Sequence, residues 1–172
     1  MDNAGLTALS FTLSSSSMPR FRSITPALLC LPLLLMACSE QAKDTHPQQW
    51  VSKRQAVFKE MTKTLEPLGL MARERNPYNQ AEFDAGLQAL MDLSAKPWPL
   101  FTADGNYPPT RARASVWQTP EQFKQAQDEF HATLANLQRM APTANLPAIR
   151  AAVDAVEKSC KSCHEKFRMD RP

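Results

Sequence analysis

One stretch near the C-terminal end limits the fold more than any other. Leu146, Ile149, Val153, Val156, Cys160, Cys163 and Phe167 recur at steps of 3, 4, 3, 4, 3 and 4 residues. This is the period of one helix face, and it predicts a helix over about residues 147–167. Its last turns carry two thiols on the face that must be buried. Three more segments repeat the pattern. Over 47–65, Arg54, Phe58, Met61, Leu65 and Leu68 form one stripe, with Pro67 and Gly69 expected to stop the helix. Thr45-His46-Pro47-Gln48 has capping-box spacing before it. Over 80–94, Phe83, Leu87, Leu90 and Ser94 share a face, widened by Met91 and Leu93, behind an Asn79/Glu82 box. A third helix begins at Thr119-Pro120-Glu121-Gln122, another capping box, and ends near Met140. Phe123, Ala126, Phe130, Leu134 and Leu137 mark its apolar face. No segment alternates with period two. The expectation is an all-α fold, an antiparallel four-helix bundle. Its longest connection, about 95–118, holds Pro97, Pro99, Pro108 and Pro109 with Trp98, Phe101, Tyr107 and Trp117. Loops of this length are functional or disordered, and the aromatic content predicts a packed crossover.

Residues 1–37 read as a signal peptide. Arg20 and Arg22 are its basic region, and 27–37 is a Leu-rich apolar stretch broken by Pro32. That stretch is short of the roughly 20 apolar residues that span a bilayer. Residues 1–17 look unlike the start of such a peptide, which makes Met18 an alternative first residue. Leu35-Met36-Ala37-Cys38 resembles a bacterial lipobox, in which the cysteine is acylated. Met36 is unusual at its position, and plain signal-peptidase cleavage nearby is the alternative. Residues 38–46 are polar and read as a tether, and 47–172 as the bundle. Export places the chain in the oxidising periplasm, with a membrane reached only through a lipid on Cys38. Of the four cysteines, Cys30 and Cys38 fall within or beside the signal. The mature body keeps one pair, which rules out a disulfide framework. Removing two Arg and one Asp from 20 basic and 17 acidic residues leaves 18 against 16. So balanced a charge does not fit a nucleic-acid partner.

The surviving cysteines stand in Cys160-Lys161-Ser162-Cys163-His164, a C-x-x-C-H pattern. This is the attachment signature of a c-type haem. Two thiols add to the two vinyl groups on one edge of the macrocycle, and the helix turn brings His164 beneath the iron as axial ligand. Two other chemistries use C-x-x-C. A thiol–disulfide redox motif follows a strand in a βαβ unit, whereas this pair sits late in a helix. A zinc half-site needs further ligands, and neither His46 nor His131 has ligand spacing.

A haem motif near the C-terminus of a four-helix bundle resembles the cytochrome c′ family. Further residues carry the likeness across about 47–169. Arg54-Gln55 resembles the family's Arg-Gln pair and Asn76-Pro77-Tyr78 its Pro-Tyr turn. Lys96-Pro97-Trp98-Pro99-Leu100-Phe101 resembles its Pro-Trp-x-x-Phe crossover, and Trp117 its Trp before the third helix. Cys160 to Arg168 reads C-K-S-C-H-E-K-F-R, similar to the family's C-x-x-C-H-x-x-[YF]-R. Two segments depart. Arg73-Glu74 stands where the family has Lys-Gly, and Thr102-Ala103-Asp104-Gly105-Asn106-Tyr107 replaces a glycine-rich stretch.

The resemblance implies one covalent haem c and its iron. It implies a distal residue four positions after the Arg of the Arg-Gln pair, here Phe58. Relatives resembling cytochrome c-556 have a ligating Met there. Phe offers no lone pair, so the expected haem is five-coordinate and high-spin, open to nitric oxide or carbon monoxide if Phe58 swings aside. The alternative is a low-spin His/Met electron carrier with Met61, about one turn further along the stripe, as sixth ligand. A Met at helical spacing is more often core filler. Arg54 and Gln55 are expected at a haem propionate, with a solvated helix-face arginine as the plainer reading of Arg54. Arg111 and Arg113 are further candidates. The resemblance places Arg168 beside the His164 ring, and its plainer reading is a helix C-terminal charge. Three functions are weighed: gas binding, one-electron transfer to a redox partner protein, and a binding module with structural haem. An enzyme is not expected. Homodimers are common in the family, so a second copy is a candidate partner.

Overall fold

A computed structural model describes residues 42–170. Its helices are α1 (Trp50–Ala72), α2 (Gln80–Ser94), α3 (Ser115–Gln118), α4 (Pro120–Met140) and α5 (Leu146–Phe167). Two 3₁₀ turns, Trp98–Leu100 and Ala103–Gly105, lie in the crossover. Among the described residues there is no strand. One antiparallel bridge joins Ala112 to Arg168. α1 packs on α2, α4 on α5, α1 on α5 and α2 on α4. Short links, 73–79 and 141–145, make each sequential pair antiparallel. The all-α bundle expected from the periodicity is therefore the fold.

The stripes meet in the middle. Met61, Leu68, Met71, Phe83, Leu87, Leu90, Phe130, Leu134, Leu137, Ile149, Val153 and Val156 form the main core. Val116, Phe123 and Phe167 form a smaller cluster at the haem-motif end. Trp98 packs against both.

Two helix boundaries differ from the pattern-based expectation. α1 runs through Pro67 and Gly69 to Ala72. A proline in a helix interior costs about 3 kcal/mol. Beyond it α1 buries Leu68, Met71 and Ala72, and each large apolar side chain returns about 1.5–3 kcal/mol. Burial therefore outweighs the break. A Cβ on Gly86 would stand 2.8 Å from Leu68 Cδ2, so α2 lies close to α1 at this very residue. The helix then ends in a Schellman motif, with Arg75 N–H donating to Leu70 O and Glu74 N–H to Met71 O. Glu74 takes the left-handed position, with φ 57°. Its place in the sequence is where the related family pattern has glycine, which adopts that conformation without strain.

The start of α1 also differs. The 45–48 box does not cap it; Gln49 precedes the helix with φ 49° and no side-chain cap. The orphan amides are satisfied from a distance. Ser52 N–H donates to Asp44 Oδ2 at 2.8 Å, and Val51 N–H donates to Tyr107 Oη at 3.3 Å. Tyr107 in turn donates to Asp44 Oδ1 at 3.0 Å. Burial raises the Asp44 pKa, but the hydrogen bonds from Ser52, Tyr107 and His46 outweigh it and hold the carboxyl below its ordinary value. The described end of the expected tether is thus fastened to the bundle; its beginning and residues 1–37 lie outside the described residues. At α4 the Thr119 hydroxyl donates backwards to Ser115 O at 2.8 Å, because α3 offers that carbonyl first. Asn79 caps α2 as expected, accepting from Glu82 N–H at 3.1 Å. Asn145 caps α5.

Candidate functional site

α5 positions the haem motif. Its apolar face buries Ile149, Val153, Val156 and Phe167. That rotation brings Cys160 against the main core and Cys163 against the smaller cluster, both half-buried with free thiols. Burial pushes both thiol pKa values up, Cys163 to about 11 with Cys160 adding to the effect. Thiol–disulfide enzymes need a lowered pKa, so this pair is unsuited to that chemistry. Burial pushes His164 down to about 4, helped by the charges of Arg168 and Arg111. The imidazole is neutral at physiological pH, with a lone pair free for a metal.

The Phe58 ring of α1 faces the His164 ring edge-on, with centroids 6.4 Å apart and planes at 78°. Met61 lies in the main core instead. Behind Phe58 stand Trp98 at 5.8 Å and Phe101 at 6.3 Å, both supplied by the crossover. Phe101 meets Phe123 at 5.0 Å, and Phe123 meets Phe167 of α5 at 5.2 Å. An apolar wall thus closes from α1 to α5.

Arg54 is 3% exposed, so it is not a solvated helix-face charge. Its guanidinium donates to Leu100 O at 3.2 Å, Gly105 O at 2.9 Å and Thr110 Oγ1 at 2.5 Å. It also stacks over Phe101 at 4.7 Å and lies 5.8 Å from Trp117. Burial lowers its pKa, offset in part by Tyr107 and Asp44. Arg54 therefore pins the crossover, and through Phe101 it supports the wall behind Phe58. Gln55 is exposed beside it. Arg168 lies just past α5, where its backbone pairs with Ala112 and its N–H donates to His164 O at 2.9 Å. Arg111 donates through Nη2 to Met169 O at 2.7 Å, and its buried Nε has no hydrogen-bond partner.

These residues fit a haem. Two half-buried thiols and a neutral imidazole share one helix end. Flat aromatic faces line the opposite side. An orphaned guanidinium N–H close enough to shift His164 suits a propionate carboxylate. Sequence reasoning missed the Asp44–Tyr107 cap and a hydrogen bond from Trp98 to His131. Both join residues more than 30 positions apart and leave no local signal.

The family model described as Cytochrome C′ matches residues 49–168. The chain belongs to the cytochrome c′ family. Cytochrome c′ of Alcaligenes xylosoxydans xylosoxydans is 31% identical over 125 residues, 71% of this chain and 94% of the relative. That of Halomonas halodenitrificans is 31% identical over 130 residues, 72% of this chain and 98% of its own. The crystal structure of cytochrome c′ from Rubrivivax gelatinosus superposes with a TM-score of 0.68 at 26% identity, covering 74% of this chain and all of that one. A nitric oxide complex of a variant of cytochrome c prime from Alcaligenes xylosoxidans gives 0.69 at 29% identity, covering 75% of this chain and all of that one. As a cytochrome c′ family member the chain carries one covalent haem c and its iron. Cys160, Cys163 and His164, the C-x-x-C-H residues of α5, lie within the matched span.

Proposed function

We propose that this cytochrome c′ works in the periplasm as a haemoprotein whose iron is five-coordinate and binds neutral diatomic gases, nitric oxide above all. The observation that carries the reading is Phe58 facing His164 across 6.4 Å. When bound, the haem would supply a one-electron iron centre able to take a diatomic ligand. Cys160 and Cys163 hold it covalently, and His164 occupies the proximal side as a neutral base. Phe58 covers the distal side and offers no ligand atom. Trp98 and Phe101 back it, so water and anions find no polar partner there. A neutral diatomic needs none and enters as Phe58 yields. Arg111, with Gln55 at the rim, contacts the propionates. Arg54 aligns that contact by fixing the crossover. Arg168 lends positive charge to the proximal side.

The nitric oxide and carbon monoxide complexes of variants of the Alcaligenes xylosoxidans protein support the same ligand class here. Electron exchange with a redox partner protein accompanies gas binding rather than replacing it. Residues 1–37 act as the signal peptide and Cys38 as a lipid anchor. The buried position of Met61 in the main core is what weighs against its ligation. Optical spectra of the oxidised, reduced and carbon monoxide-treated holoprotein test the reading. High-spin spectra and a carbon monoxide adduct are expected, with Soret absorbance kept by the protein after acid–acetone extraction. A Met–iron charge-transfer band in the oxidised protein would refute it in favour of Met61.

A further inference from the structure

Trp98 is the keystone of the wall behind Phe58. Its ring meets Phe58 at 5.8 Å, Phe123 at 6.1 Å and Phe130 at 6.3 Å, all edge-on with planes at 63–75°. Apolar contacts of this kind let a ring slide or tilt at little cost; a hydrogen bond at its edge does not. Indole Nε1–H is a donor only. Its acceptor is His131 Nε2, 3.2 Å away across a ring pair at 87°. The same Nε2 lies 3.2 Å from Ser94 O, which is an acceptor only. One nitrogen cannot serve both partners. With its proton on Nδ1, His131 accepts from Trp98. With a proton on Nε2, it donates to Ser94 O and the indole loses its acceptor. His131 is thus placed at a two-way choice, one side of which anchors the crossover tryptophan.

We propose that His131, which touches Trp98 and the Ser94 carbonyl, is a positioning residue for the distal gate. By accepting from Trp98 Nε1 it fixes the ring that Phe58 must push against to admit a diatomic ligand. The inference rests on Phe58 being the distal residue.

The test uses ferrous holoprotein and carbon monoxide as the probe. Coupling through packed side chains is typically worth a factor of about 2 to 30. His131→Leu should raise the association rate by a factor in that range. His131→Gln, whose amide oxygen accepts from the indole, should restore the parent rate. Ultraviolet resonance Raman of Trp98 should report a hydrogen-bonded indole in the parent and the Gln variant, and a free one in the Leu variant. In a Phe58→Ala background His131→Leu should add nothing, since no gate remains to be braced. An unchanged rate in His131→Leu, with Phe58→Ala raising it, overturns the role of His131 alone. A rise that persists in the Phe58→Ala background reduces it to general loosening and overturns it too. An unchanged rate in Phe58→Ala removes the gate itself, and this proposal with it.

Discussion

Phe58→Ala is the perturbation that the site geometry makes most quantitative. To let a ligand reach the iron, Phe58 must leave its edge-on contacts with Trp98 at 5.8 Å and Phe101 at 6.3 Å. Each such aromatic pair is worth about 0.5–1.5 kcal/mol beyond simple burial. Two pairs make the barrier to vacating the site about 1–3 kcal/mol. An alanine has nothing to vacate, so that penalty is absent from ligand binding. Since 1.4 kcal/mol is tenfold, carbon monoxide affinity of the ferrous holoprotein should rise by a factor of about 5 to 150. Equilibrium titration in the Soret region measures the affinity, and stopped-flow mixing assigns the change to association or dissociation. Denaturant unfolding of the same variant checks that the bundle is intact; Phe58 is half-buried, so a stability loss is expected but not collapse. An affinity within twofold of the parent would refute the reasoning, because it would mean that the aromatic wall does not oppose the ligand.

Three further outcomes follow from contacts elsewhere in the bundle. Arg54→Leu removes three donors from Leu100 O, Gly105 O and Thr110 Oγ1; with charged hydrogen bonds at about 1.5–3 kcal/mol each and partial re-solvation of the carbonyls, denaturation of the holoprotein should report a loss of about 2–4 kcal/mol. Arg54→Lys should recover little of it, since an ammonium cannot span the three acceptors; full recovery would contradict the clamp. Asp44 is held below its ordinary pKa of 3.8, so its contribution to stability is present above about pH 4 and lost as the pH falls through its lower folded value. The protection factors of the Val51 and Ser52 amides, taken against the intrinsic exchange rate at each pH, should therefore fall only on acidification below that range, and a fall between pH 5 and 7 would exclude Asp44 as the cap. Glu74→Gly and Glu74→Ala both lose the exposed ion pair to Arg150, but only glycine suits the left-handed backbone, so the Gly variant should be more stable than the Ala variant by about 1 kcal/mol. Equal stabilities would show that the Schellman turn does not strain this residue.

Much of this protein is legible along the chain, because the information is local. Helical period is a property of neighbouring residues, and the stripes from Phe83 to Ser94 and from Leu146 to Phe167 became α2 and α5 within a residue of expectation. The haem motif is likewise contained in five consecutive residues. The resemblance pointed to Phe58, four residues after Arg54, and the bundle sets its ring against His164. What the chain alone did not reveal was decided by contacts distant in sequence. Local rules end α1 at Pro67, yet burial of Leu68 and Met71 against the other helices outweighs the missing hydrogen bond. Local rules cap α1 with Thr45, yet Asp44 and a tyrosine 56 residues beyond Val51 do the capping. Arg54 read first as a propionate contact, with a solvated charge as the plainer alternative, and only the crossover folding back over α1 showed that its guanidinium holds the loop. His131 looked idle until the bundle brought Trp98 to its ring. The sequence by itself determined which faces are apolar and where on them the C-x-x-C-H pattern falls. The tertiary structure decided which polar groups meet, since a buried donor takes whichever acceptor packing delivers.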